Sequence, residues 1–176
     1  STQSRSSAAS DVYKRQIHDY IFVITDNLST TDPMDTGSSV LSSLLYQKKQ
    51  QAGRLGISCD IDIQISHVAI DDFSITTIIG NLFDNAITAA QKCSSPWVRA
   101  SLSQSGSYLE LTIDNCHCEK IKEKNGEFAT TKKDKNLLHG IGIKNVRKVV
   151  SDLNGQIDIC YTDDTFHVNI LLPNYE

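Results

Sequence analysis

Two asparagines four residues apart in a strongly apolar helix are the residues in this chain whose types most need a reason. Asn81 and Asn85 sit in the segment NLFDNAITAA. Over residues 71–92, Ile75, Ile78, Ile79, Leu82, Ala86 and Ala89 fall on one arc at 3.6 residues per turn. That pattern predicts a helix, started by Asp71 or Asp72, with positions 81 and 85 as neighbours on the flank of the apolar arc. Asn is a poor helix former because its side chain competes for backbone hydrogen bonds. Taken alone, the pair fits two readings. Both residues are ordinary boundary side chains, or both present amide oxygens to a metal ion and phosphates. Mg²⁺ takes oxygen ligands, commonly one or two protein groups with phosphates and water completing the shell. A neutral amide adds no repulsion to a polyphosphate.

A second candidate is HGIGIKNVRKVV, where Gly140 and Gly142 open an amphipathic helix with Ile141, Ile143, Val146, Val149 and Val150 on its apolar side. Glycines let the backbone approach a ligand closely, and a helix N-terminus offers free N–H groups and a positive dipole end to phosphate. Lys144, Arg147 and Lys148 add positive charge. The Rossmann fingerprint is not met, because no strand directly precedes the loop and a third glycine is missing. The Walker P-loop is absent too. Upstream, FATTKKDKNLLHG carries Lys132, Lys133 and Lys135. It reads either as a solvated loop or as a lid that folds over a triphosphate and brings a lysine to it.

The elements that must position these groups follow from periodicity. Residues 1–16 are Ser-rich and aperiodic, and are expected to be a disordered leader or non-native junction outside the fold. Residues 17–55 read as a partial helical dimerisation segment, a hairpin remnant. One helix is broken by Pro33, and a second runs from a Thr36 cap to about Ala52, stopped by Gly53 and Gly56. From Ile57 the period becomes two, with Ile57, Cys59, Ile61, Ile63 and Ile65 on one face of a strand. After the asparagine helix, strands are expected at 97–103 and 108–114, joined by a hairpin containing Gly106. A long polar connection spans 115–139. A helix follows from Ile141 to Leu153 with Gly155 beyond its end. Strands at 156–161 and 165–172 complete the chain. This order predicts an α/β fold, a two-layer sandwich over residues 57–176.

Composition limits the function classes. Net charge is −4 with pI near 5.7, which argues against a general nucleic-acid binder. The five cysteines, at 59, 93, 116, 118 and 160, are odd in number and read as reduced thiols. Cys116-His117-Cys118 lacks the second pair that a tetrahedral metal site needs. No apolar run approaches the ~20 residues that span a bilayer.

The ordered set NLFDNA, IDN at the end of a strand, TTKK, HGIGIKNV and FHVNILLPN resembles the superfamily of gyrase-type, Hsp90-type, histidine-kinase and MutL-type ATP-binding domains, the GHKL group. Its fold is the Bergerat-type α/β sandwich. More narrowly, the set is similar to the quorum-sensing, peptide-sensing class of sensor histidine kinases. The resemblance covers about residues 57–174. It implies ATP and Mg²⁺ as cofactors, with Asn85 as metal ligand and Asn81 supporting it one turn earlier. Asp114 or Asn115 would read the adenine amino group, and the sequence leaves open which. Lys132 matches the lid lysine. His139, Gly140, Gly142 and Asn145 match the second glycine box near the phosphates. In gyrase-like and Hsp90-like relatives a glutamate stands at the position of Asn81 and activates water. An amide is no general base at neutral pH, so the implied reaction is phosphoryl transfer to a protein histidine.

The sequence departs from the family in two places. Cys116 and Cys118 stand where glycines are usual, and Thr88 stands where an acidic residue is usual. His18-Asp19-Tyr20 superficially matches the phospho-acceptor motif. Phe22 and the nearby Pro33 favour an ordinary helix-surface role for His18 over the acceptor role, which the sequence leaves open, and the acceptor is expected upstream of this chain. Implied partners are the histidine-containing dimerisation domain of the same kinase, a cognate response regulator and a second copy in a homodimer. The implied location is the cytoplasmic part of a membrane-bound sensor. Two rivals remain: a degenerate binding module without turnover, and a serine-directed switch kinase of the anti-sigma type.

Overall fold

The computed structural model describes residues 34–118, 122–124, 127–129 and 141–175. Helix α1 (Ser39–Arg54) begins on Ser38, whose hydroxyl accepts from the Leu41 N–H. Thr36 is therefore not the cap. It lies buried, with its hydroxyl against the Ser38 carbonyl and the Ser42 hydroxyl. Gly53 falls inside the helix, and Gly56 takes the left-handed conformation that ends the turn.

Strand β1 (Ser58–Gln64) is half-buried on alternate residues, as the period-two pattern predicts. It leads to α2 (Asp72–Ala90), which carries both asparagines. Strands β2 (Trp97–Ser105) and β3 (Tyr108–Cys116) form the expected hairpin, turning at Gly106 with φ +58°. Part of the stretch read as irregular is regular. β3 extends through Asn115 and Cys116, and β4 (Lys122–Lys124) pairs antiparallel with β5 (Glu127–Ala129). Helix α3 (Ile141–Asp152) and the hairpin β6 (Gln156–Tyr161) to β7 (Thr165–Pro173) follow.

The main sheet has the order β1-β2-β3-β7-β6, with β1 and β2 parallel and the other neighbours antiparallel. The helices cover one face. Helix α1 packs on β1 and α2, α2 packs on β2 and β3, and α3 packs on α2 and β6. The chain is thus an α/β two-layer sandwich with α2 central in its helical layer. Leu41, Leu44 and Leu45 of α1 are fully buried in the same core as Ile75, Ile78 and Ile79 of α2 and Leu109 and Leu111 of β3. No helix among the described residues is long and apolar enough to cross a membrane.

Gly155 has a different role from the helix stop that its position suggests. Asn154 takes the left-handed conformation, with φ 55°. A Cβ at Gly155 would lie 2.7 Å from the Leu171 carbonyl oxygen and 2.6 Å from Leu172 Cδ2. The residue is glycine because β7 passes against its backbone.

Candidate functional site

The site is organised around α2. Asp71 caps this helix by accepting from the Ser74 N–H, and Asp72 places a carboxylate in its first turn, next to the positive end of the dipole. Its buried side presents Ile75, Ile78, Ile79, Leu82, Phe83, Ala86, Ile87 and Ala90 to the core. Asn81 and Asn85 are half-buried on the flank that faces α3. The Asn81 Nδ2 donates to the Thr77 carbonyl at 2.7 Å, an i−4 bond that fixes the orientation of the amide.

Gly142, buried in the first turn of α3, lies directly against both side chains. A Cβ added there would come within 3.3 Å of Asn81 Oδ1, 3.3 Å of Asn85 Nδ2 and 3.5 Å of Asn85 Oδ1. The structure thus joins two motifs separated by about sixty residues of chain. The missing side chain lets the first turn of α3, with its outward N–H groups, approach two amide oxygens held on a rigid helix. Val146 and Val150, both buried, hold α3 in place. Asn145 is half-buried on the same helix. Of the three basic residues in α3, Lys148 pairs with Asp152 at 2.5 Å on the exposed surface. Lys132, His139 and Gly140 lie outside the described residues.

Strand parity separates the two candidate base-reading residues. Leu109, Leu111, Ile113 and Asn115 alternate onto the face that α2 covers, and Asn115 is only 3% exposed. Asp114 points to the opposite, open face. There it meets His167 of β7, its register partner, whose Nδ1 is hydrogen-bonded to the Asp114 carboxylate. Arg99 of β2 is the register neighbour of Asp114 on its other side. The Asn115 Nδ2 donates to the Cys116 carbonyl at 2.8 Å.

Cys116 ties the end of β3 to the start of β2, and Cys118 ties the segment after β3 to the residues after α2. Cys116 Sγ accepts from the Trp97 N–H at 3.2 Å, and Cys118 Sγ donates to the Lys92 carbonyl at 3.1 Å. Burial, with added contributions from the Cys116 and Cys118 thiols, pushes the Cys93 thiol up to about 12. Among the described residues, no group of three His, Cys, Asp or Glu side chains is arranged to hold a metal ion. Any cation bound beside Asn81 and Asn85 would take amide and phosphate oxygens instead.

One feature escapes a motif-based reading. Lys48 of α1, 1% exposed, forms an ion pair with Asp84 of α2 at 2.5 Å. A signal for it exists in the sequence: Leu41, Leu44, Leu45, Lys48 and Ala52 share one helical stripe, so a lysine occupies an apolar position.

Residues 70–173 match the family model described as the GHKL domain, and the chain belongs to that family. Solved structures agree on the fold. The catalytic domain of histidine kinase ThkA superposes with a TM-score of 0.60 at 17% identity, covering 76% of this chain and 92% of that one. The Acinetobacter baumannii histidine kinase AdeS gives 0.58 at 14% identity, with 95% and 81% covered. The histidine kinase domain of the Erythrobacter litoralis EL346 blue-light-activated kinase gives 0.59 at 18%, with 88% and 70% covered. A sequence comparison with curated proteins returns no match.

Proposed function

We propose that the chain is the ATP-binding catalytic part of a two-component sensor histidine kinase, and that it transfers the γ-phosphoryl group of ATP to a protein histidine. The observation that carries this reading is the contact of Gly142 with Asn81 and Asn85. The absent side chain lets the first turn of a helix close onto two amide side chains, and amide oxygens beside free helix N–H groups suit a hard cation and phosphate. Asn85 would ligate Mg²⁺ and Asn81 would support it. Bound Mg²⁺ would neutralise phosphate charge and orient the triphosphate.

Asn115 is the better candidate for reading adenine, because it shares the helix-covered face of the sheet. Cys118, just beyond the end of its strand, bonds Lys92, just beyond the end of α2, and that helix end at Ala90 lies about 7.5 Å along the axis from Asn85. That separation suits a nucleotide laid along the helix, base at one end and phosphates at the other. Lys132, His139, Gly140 and Asn145 complete the proposed site from the lid and the second glycine box. With Asn81 in place of a carboxylate, no side chain at that position can deprotonate water. Positioning and charge neutralisation would then favour transfer over hydrolysis. The proposed partners are a histidine-bearing dimerisation domain, a response regulator and a second copy of the kinase. The proposed setting is the cytoplasmic side of a membrane-bound sensor of the quorum-sensing class.

The test is calorimetric titration of ATP with and without Mg²⁺. Binding should require Mg²⁺ for full affinity, and Asn85→Ala should weaken it by more than about tenfold. No heat of binding with Mg²⁺ present would overturn the reading.

A further inference from the structure

We propose that Lys48 is a positioning residue for this site, setting the rotation of α2 so that Asn81 and Asn85 face Gly142. The inference rests on the functional reading above and adds a residue from outside the nucleotide motifs.

Helix α2 lies between two helices. Helix α1 sits over β1 at one edge of the sheet, and α3 sits beside β6 at the other. Asp84 and Asn85 are consecutive and project about 100° apart around the axis of α2. The Lys48 ammonium holds Asp84 from the α1 side, while Asn81 and Asn85 meet Gly142 on the α3 side. A roll of α2 in either direction would stretch the ion pair and move both amides together. The close-packed core side chains of α2 limit a roll of several degrees, and the ion pair adds a directional restraint on the side away from Gly142.

The pair is also unusual in its burial. Lys48 is 1% exposed, whereas the Asp84 side chain is 56% exposed. A buried ammonium needs fixed acceptors, and Gln51 Oε1 supplies a longer contact at 3.5 Å. The Asp84 carboxylate is itself well solvated, but its departure would take an acceptor from the buried Lys48 ammonium, so the pair is held by the cost at Lys48. A surface ion pair contributes little and tolerates many geometries. One anchored in a core helix accepts few, which gives it directional control over α2.

The experiment compares Lys48→Met, Asp84→Asn and Asp84→Glu with the wild-type chain. Three measurements are made on each: circular dichroism with a thermal melt, Mg·ATP affinity by calorimetry, and the backbone amide NMR signal of Gly142 without nucleotide. Lys48→Met and Asp84→Asn should weaken Mg·ATP binding about tenfold in protein that remains folded. Asp84→Glu, which keeps the carboxylate, should stay within about threefold of wild type. The Gly142 signal should move in the two charge-removing variants, although Gly142 lies on a different helix. A merely structural pair would lower the melting temperature and leave both readouts in place. If Lys48→Met does not fold, the two Asp84 variants decide the question. Folded Asp84→Asn with wild-type affinity and an unmoved Gly142 signal would overturn the proposal. Wild-type protein that binds no Mg·ATP overturns the functional reading instead, and the Gly142 signal still reports whether the pair sets α2.

Discussion

Gly142 and Asn85 face each other across the α2–α3 contact so closely that a Cβ on the glycine would stand 3.3 Å from the asparagine Nδ2 and 3.5 Å from its Oδ1. This relationship gives a substitution in which stability and function should separate. Alanine is the better helix former by about 1 kcal/mol, so Gly142→Ala should leave the fold as stable as wild type or slightly more so. The added methyl would displace both amides by a few tenths of an ångström and so disturb the groups proposed to meet the metal and phosphate. Mg·ATP affinity should fall by about tenfold or more, while the chemical-denaturation midpoint holds or rises. A variant that loses stability and affinity together would show that Gly142 serves packing.

Three other glycines, by the same geometry, should behave differently. Gly80 lies inside α2 with nothing within 4 Å of where an added Cβ would stand, and Gly53 is equally open inside α1. Gly80→Ala and Gly53→Ala should each stabilise by about 0.5–1 kcal/mol in urea unfolding. Gly155→Ala should destabilise, because the new atom would lie 2.7 Å from the Leu171 carbonyl oxygen, a backbone group that cannot move aside alone. Equal effects at all three positions would contradict the packing described.

Much of the fold was legible because it depends on local period. The alternation from Ile57 to Ile65 gave β1, and the 3.6-residue spacing of the isoleucines gave α2 and put Asn81 beside Asn85. Features set by tertiary approach were not legible. Gly155 reads as a helix stop, yet it is required by β7 passing behind it. The contact of Gly142 with the asparagines depends on how two helices pack, which no local pattern encodes. The placement of Asp114 and Asn115 on opposite faces was accessible in principle, since Leu109, Leu111 and Ile113 set the parity of β3. It needed the knowledge that β3 continues through Cys116 rather than ending at residue 114. Lys132, His139 and Gly140 fall outside the described residues.

The thiols should divide by reactivity. Burial is the largest effect on Cys59 and pushes its thiol from 9.0 up to about 11, against the opposing charge of Lys49 and with a smaller push from Asp60. Thiolate is the reactive form, so at pH 8 the thiolate fraction at Cys59 is about 100-fold below that of an ordinary thiol. Iodoacetamide should therefore modify the exposed Cys118 and Cys160 first, with Cys59 and Cys93 lagging by at least about tenfold. The sign of the linked stability follows. A thiol whose folded pKa is raised contributes stability that is fully present below its unfolded value near 9, and it is lost as pH rises through 11 to 12. Mass spectrometry of tryptic peptides after timed labelling at about pH 8 checks the reactivity order, and urea unfolding at about pH 8 and about pH 11 checks the linked stability. Uniform labelling at pH 8 in folded protein would refute the assignment.

Asn115 and Asp114 offer the sharpest test of how the base is read. They are adjacent in sequence but lie on opposite faces of β3, so substitutions at the two positions should have unrelated consequences. Asn115 is buried on the face under α2, with one Nδ2 hydrogen on the Cys116 carbonyl, which leaves its Oδ1 and second N–H to offer a purine edge. Asn115→Ala should lower ATP affinity by about tenfold and erode the preference for ATP over GTP, because a site that has lost its hydrogen-bonding group discriminates less. Asp114→Asn should leave nucleotide affinity within about twofold, since its carboxylate faces His167 on the open side of the sheet. Its effect should appear in stability, as a small loss from weakening a half-exposed pair. Competition of ATP and GTP for a fluorescent nucleotide, run beside thermal melts, measures both quantities. A strong loss of affinity in Asp114→Asn with none in Asn115→Ala would reverse the assignment and place the nucleotide on the other face of the sheet.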